Sequence, residues 1–320
     1  MKKLLFTLLS GLIGLSSFGQ TASQITNIFA DDIAQGEKLI EAYFTPMAES
    51  FGAGLNSGWY NTAKPHSLGG FDLTFTLNTV IIPNSVETFN IKDAGGTTFT
   101  SAKGEASTIF GSSDLTTMIY NNSSTGLDVD FEMPGGLKTP AVPLPMIQAG
   151  IGLIKNTAID IRYMPMLNVG DNINVNLFGF GIKHDLLQWI PAIGDAIPMS
   201  LSFQAGYTSL NTELNISEQQ KVTLNTKATT INLVASKKLL MITAYAGVGY
   251  NSAITTFSSA ADLDLGGAKF EEEVKIDFES NNNVRANIGL RLNITLVTIQ
   301  ADYTFAEYPT ATLGLGVSLR

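Results

Sequence analysis

This chain offers few side chains that do chemistry. It has two histidines and no cysteine. His66 and His184 are its only groups whose ordinary pKa lies near neutrality. A Ser–His–Asp nucleophile, or a histidine-assisted protease or lipase, would have to be built on one of them. Lys183-His184-Asp185 reads as a polar turn. Glu271-Glu272-Glu273 with Asp277 and Glu279 could gather a hard cation such as Ca²⁺, yet their spacing matches no EF-hand loop. A solvated acidic loop is the simpler reading. Without cysteine there is no thiolate metal site, disulfide or lipid-modified N-terminus. Gly150-Ile-Gly152 and Gly52-Ala-Gly54 follow no strand-to-helix phosphate fingerprint. The expectation is no enzyme, no metal and no cofactor.

What remains is a set of charges spaced along strands: Asp160, Arg162, Arg285, Arg291 and Asp302. They belong to the polar side of runs that alternate strictly. Val284, Ala286, Ile288, Leu290, Leu292 and Ile294 oppose Arg285, Asn287, Gly289, Arg291 and Asn293. Val297, Ile299, Ala301, Tyr303 and Phe305 follow, then Ala311, Leu313, Leu315, Val317 and Leu319, and the last run reaches Arg320. Successive side chains of a strand point to opposite faces, so each run lays down one apolar and one polar face. Phe71, Leu73, Phe75 and Leu77 against Asp72, Thr74, Thr76 and Asn78 form the first such strand. Others are expected at 145–154, 157–166, 173–183, 198–208, 222–235 and 240–251, with one or two short hairpins and much loop across 83–144.

The N-terminus supplies the compartment. Lys2 and Lys3 precede an apolar run, Leu4 to Leu15, and small residues Ser17 and Gly19 set a cut between Gly19 and Gln20. This pattern is a secretory signal peptide spanning 1–19. Its removal takes the net charge from −9 to about −11, which disfavours nucleic acid as a partner. No later segment approaches the roughly 18 apolar residues of a transmembrane helix. Exported chains with alternating strands suggest an outer-membrane barrel, closed so that no backbone edge meets lipid.

Residues 20–69 differ. Ile33, Ile40, Tyr43, Phe44 and Met47 form a helical stripe with Asp31 and Asp32 at its start, and Thr45-Pro46 is expected to begin a second short helix. Such a segment plugs the lumen or lies at the periplasmic mouth. Counting back from Arg320 puts the long connections outside and short turns, including Lys155-Asn156 and Ser236-Lys237-Lys238, in the periplasm. The exception is 184–197, expected to carry a short amphipathic helix with Trp189 anchored at the headgroups. Both histidines then sit at the periplasmic end, the wrong place for a barrel enzyme of the outer leaflet. The five strand charges project into the lumen and either fill it by pairing or form a constriction selective for solutes. Closure of the barrel makes Asp72 and Arg320 neighbours where the first and last strands meet.

Gly54-Leu-Asn-Ser-Gly-Trp-Tyr-Asn-Thr-Ala-Lys-Pro-His66 with Gly70-Phe-Asp72, Gly179 to Pro191, and Ala301-Asp-Tyr-Thr-Phe-Ala-Glu-Tyr308 resemble an uncharacterised family of Bacteroidota outer-membrane proteins. The layout is more distantly similar to FadL-type outer-membrane transporters of hydrophobic compounds, which implies a hatch and about fourteen strands. The Asn-Pro-Ala-Gly element of FadL-type hatches is absent, and the chain ends on Leu319-Arg320 rather than an aromatic residue.

The expectation is an all-β protein: a transmembrane antiparallel β-barrel of 10–14 strands over 70–320, with a short helical N-terminal plug over 20–69. It would sit in the Gram-negative outer membrane and pass small, partly hydrophobic molecules. Its partners would be outer-membrane lipid, such solutes, and the barrel-assembly machinery during insertion. The alternatives are a structural barrel serving a secretion machine and a soluble secreted β-sandwich adhesin.

Overall fold

Period-two alternation becomes ten antiparallel strands, each paired with its neighbours in the chain. They are β1 (Phe71–Ile81), β2 (Ala141–Leu153), β3 (Thr157–Val169), β4 (Ile173–Asp185), β5 (Ser200–Asn215), β6 (Lys221–Leu239), β7 (Ile242–Ser259), β8 (Val284–Ile294), β9 (Val297–Phe305) and β10 (Thr310–Leu319). The computed structural model describes residues 33–319 apart from 97, 123–126, 170–172, 191–197, 216–220, 260–262, 266–267, 271–274 and 281–282. The signal segment 1–19, the Gly19–Gln20 cut, Asp31, Asp32, Glu271–Glu273 and Arg320 therefore lie outside the described residues.

β10 pairs with β1, so the sheet closes on itself and the two-sheet sandwich is excluded. At the closure Phe71 faces Leu319 and Asp72 faces Ser318. First and last strands meet as expected. The residue across from Asp72 is Ser318, and Arg320 is beyond the described chain.

The barrel is inverted relative to a water-soluble protein. Leu73, Ile161, Phe180, Leu233, Leu290 and Leu315 are exposed, whereas Thr76, Gln204, Thr230, Thr298 and Thr312 are buried. The apolar outer face runs round the whole circumference, and only hydrocarbon favours that arrangement. The strands cross the membrane, and no described helix is long and apolar enough to do so.

One end carries short turns. At Lys155-Asn156 both φ angles are positive (54° and 45°), the geometry that lets two residues join twisted strands. The turn expected at Ser236-Lys237-Lys238 is displaced: β6 continues through them to Leu239, and the chain reverses at Leu240 and Met241. Polar composition suggested a turn, but Ser236 keeps the inward phase of the strand and is buried. Among the described residues, the chain between β4 and β5 forms a 3-10 turn, Leu187–Trp189, with Trp189 exposed beside His184. At the opposite end the chain between β1 and β2 folds into two small sheets and a short helix, Ile91–Gly95.

Among the described residues, Thr45-Pro46 starts no second helix: α1 (Ile33–Asn56) runs through it, 24 residues long. Pro46 removes one amide donor inside it, and the Thr45 hydroxyl donates to the Glu41 carbonyl at 2.6 Å. α1 lies in the lumen: Ile40, Tyr43, Phe44 and Met47 are buried with inward residues of the wall. Its early part sits at the long-loop end, where the Tyr43 hydroxyl donates to the Gly135 carbonyl and Ile109 N donates to the Tyr43 carbonyl. From there α1 descends, and residues 57–70 continue to the short-turn end, where β1 begins. The helix thus enters from the long-loop side.

This polarity is testable because the chain has no cysteine. In oriented membranes, Lys38→Cys at an exposed position of α1 and Lys155→Cys in the tight turn should react with an impermeant maleimide from opposite sides. Labelling of both from one side would reverse the helix or remove it from the lumen.

Candidate functional site

The lumen has two tiers. The lower, toward the short turns, is polar, and its main task is to receive the end of α1. The last four carbonyls of a helix have no partner within it. Here all four are met. Ala53 O accepts from Ser57 Oγ at 2.9 Å, and Gly54 O from Asn78 Nδ2 at 2.9 Å. Leu55 O accepts from Arg162 Nη1 at 2.8 Å, and Asn56 O from Arg285 Nη1. Arg162 Nη2 also reaches Ser57 O at 2.7 Å, and its Nε donates to Gln148 Oε1 at 3.0 Å. Two guanidinium groups from β3 and β8 thus converge on the negative end of the helix dipole.

Beyond the helix, Trp59 lies against Gly181 and Gly206, which face each other across β4 and β5. A Cβ at Gly181 or Gly206 would come within 2.7 or 2.5 Å of the indole. Arg162 lies over the ring, 3.7 Å from its centroid. Tyr60 donates to Asn287 Oδ1 at 2.7 Å, Arg291 Nη1 to Asn61 Oδ1 at 2.8 Å, and Ala63 N to Ser236 Oγ at 2.9 Å. At the rim, His66 Nε2 stands 3.4 Å from Asp72 Oδ1. The Tyr245 hydroxyl donates to Asp302 Oδ2 at 2.9 Å.

The upper tier is apolar. Val142, Leu144 and Met146 of β2, Val175 and Leu177 of β4, and Leu210 of β5 turn inward and pack with α1. Between them and the helix lies a cavity lined by Met47, Phe51, Leu144, Met146, Met164 and Leu177, with about 30 Å³ of room for water-sized molecules.

The wall beside this cavity is unzipped. β2 and β3 pair from Leu153–Thr157 only as far as Gln148–Arg162. Above that, Ala141–Ile147 and Tyr163–Val169 do not pair with each other, although β2 stays paired to β1 and β3 to β4. Prolines mark the slot. Pro140 O accepts from Ile82 N, on the β1 side, and backbone groups alternate sides along a strand. Pro143 and Pro145 therefore turn their donorless nitrogens toward β3. On β3, a register shift between Met164 and Leu167 brackets Pro165, a bulge that bends the strand away. Pro145, Met146, Met164 and Leu167 border both slot and cavity.

Asp160, Arg162, Arg285, Arg291 and Asp302 all point inward and are buried. They do not form an open constriction, because the arginines are committed to the plug. Lys183, read as part of a turn, is buried near the inner end of β4 and approaches Asp160. The alternation Gly179, Gly181, Lys183 against Phe178, Phe180, Ile182 carried that signal. Asp277 bonds the Thr256 hydroxyl at 2.6 Å, and among the described residues no cluster of three acids or histidines is disposed to hold a metal.

Removing either arginine should loosen the plug. Arg162→Met and Arg285→Met each strand a helix carbonyl and forfeit a charge-assisted bond, about 2–4 kcal/mol. Urea unfolding in micelles reads this loss, and brief conductance steps absent from the parent protein should accompany it. Arg162→Lys should recover little, since an ammonium cannot span Gln148 and two carbonyls at once. Unchanged stability in both methionine variants would remove the clamp.

The chain belongs to a family of unknown function, DUF6588, which matches residues 1–319. No curated protein matches it. Among solved structures it is similar to the translocator domain of the autotransporter NalP from Neisseria meningitidis, at 10% identity over 84% of this chain and 91% of that one, TM-score 0.28. It is similar to the transport unit of the autotransporter AIDA-I from Escherichia coli, at 9% identity over 86% and 99%, TM-score 0.34. A deltaS2 mutant of the monoaromatic hydrocarbon channel TodX is similar at 10% identity over 79% and 67%, TM-score 0.25.

Proposed function

We propose that this member of the DUF6588 family is a barrel of the Gram-negative outer membrane that lets small, partly hydrophobic molecules cross sideways through its wall. The carrying observation is the slot between β2 and β3, which opens beside an apolar cavity. An axial route has little support: α1 fills the lumen, and the folded chain between β1 and β2 packs over its upper part. The slot lies at the level of Ile147 and Tyr163, exposed residues of the apolar belt. A molecule leaving the cavity there would enter hydrocarbon.

An unpaired strand edge facing lipid is costly. Two prolines at that edge lower the cost by removing the donors that would go unsatisfied, so the gap is written into β2. The signal-peptide pattern, the circumferential apolar face and the division between long and short connections support the location. Outer-membrane lipid, the transported solutes and the assembly machinery are then the partners, with no catalysis. A lumenal plug is what the resemblance to FadL-type transporters implied, whereas the strand number is ten rather than about fourteen.

A blocked lumen also suits a structural barrel serving a secretion machine, and one experiment separates the two. In Pro145→Cys/Pro165→Cys protein, a reducible bis-thiosulfonate linker across the slot should suppress uptake of an apolar dye into proteoliposomes at least tenfold. Reduction should restore it. Uptake indifferent to the linker would leave the structural reading in possession.

A further inference from the structure

Resting on that reading, we infer that the cavity accepts uncharged, hydrocarbon-like molecules and rejects amphiphiles with an ionised head group. The reason is the segregation of charge inside the barrel. The lining is aliphatic and thioether, with Phe51 as its aromatic ring and Thr212 as its polar side chain. Asp72, Asp160 and Lys183 border a separate polar cavity below, beside Trp59 and Gln148.

One cation comes close. Arg162 binds the carbonyl of Leu55, and Leu55 lines the apolar cavity. That guanidinium is fully buried, donates from each of its nitrogens, to Gln148, Leu55 and Ser57, and lies over Trp59. A carboxylate could reach it only by displacing the end of α1. An anion in this cavity would otherwise remain unpaired, and burying an unpaired charge is far costlier than burying a methyl group. Size selection is looser. The open room is narrow, so a ligand must push side chains aside. Met47, Met146 and Met164 are the ones able to give way, being unbranched and polarizable.

The test uses the full chain in lipid nanodiscs with ¹³C-methyl methionine, read by NMR. The probes are n-octane and octanoate at pH 8, alike in chain and different in head group. Octane should shift the methyls of Met47, Met146 and Met164, and octanoate should need at least tenfold higher concentration to do so. Leu177→Trp, which fills the cavity, should abolish the octane shifts at Met47 and Met164. The outward Met166 reports simple partitioning into lipid. Octanoate acting at the same concentration as octane would overturn the charge selection while leaving the sideways route standing. Octane shifting Met166 alone, or acting unchanged in Leu177→Trp protein, would overturn both.

Discussion

A helix that ends inside a membrane barrel must find partners for four carbonyls where bulk water is absent, and the interior is organised around that requirement. Ser57, Asn78, Arg162 and Arg285 satisfy the four in turn. Two of these donors are cations, which also oppose the helix dipole. The clamp sets the depth of α1, and that depth decides which part of the lumen is polar. Below it the chain continues as a short, buried irregular segment whose backbone and side chains need hydrogen bonds, so the wall supplies threonines, asparagines and glutamines. Above it the helix presents apolar side chains to β2, β4 and β5, and the wall there turns apolar as well.

The two tiers account for the uneven wall. A strand with lipid outside and a polar lumen inside must alternate. A strand with lipid outside and a buried helix inside must be apolar on both faces. β2 changes from one regime to the other near Gln148, its last residue paired with β3. Pairing fails where the inward residues become apolar and prolines enter the outward positions. Because β1 and β4 hold the outer edges of the two strands, the opening stays local and the barrel keeps its closure.

The same buried charges can be read as pore lining or as mortar, and geometry chooses mortar. Each nitrogen of Arg162 already donates, to two plug carbonyls and a glutamine, and the group lies over an indole, so it serves the plug rather than a passing solute. Gly181 and Gly206 show the matching economy of space: side chains there would exclude Trp59, and without Trp59 the guanidinium would lose its stacking partner. The apolar cavity is freed of electrostatic demands by this arrangement.

Much of this was legible in the residues. The alternation of β8, β9 and β10 stood out because lipid and lumen impose opposite demands on neighbouring positions. Polar-phase residues such as Asp72, Asp160, Arg162, Arg285, Arg291 and Asp302 could be assigned to the inside for that reason, and a strand ending near the C-terminus had to meet the first. The helical stripe of Ile40, Tyr43, Phe44 and Met47 declared a segment needing burial. Local pattern could not say that Thr45-Pro46 sits within one continuous helix, that β6 runs through Ser236 to Leu239, or that Ala141–Ile147 is a strand despite weak alternation. Each of those depends on what packs opposite. The direction of α1, the pairing of its carbonyls with Arg162 and Arg285, and the slot beside Pro143 and Pro145 were decided only in three dimensions. Periodicity reports which face a residue occupies, whereas a partner far along the chain is fixed by closure of the barrel and the depth of the helix within it.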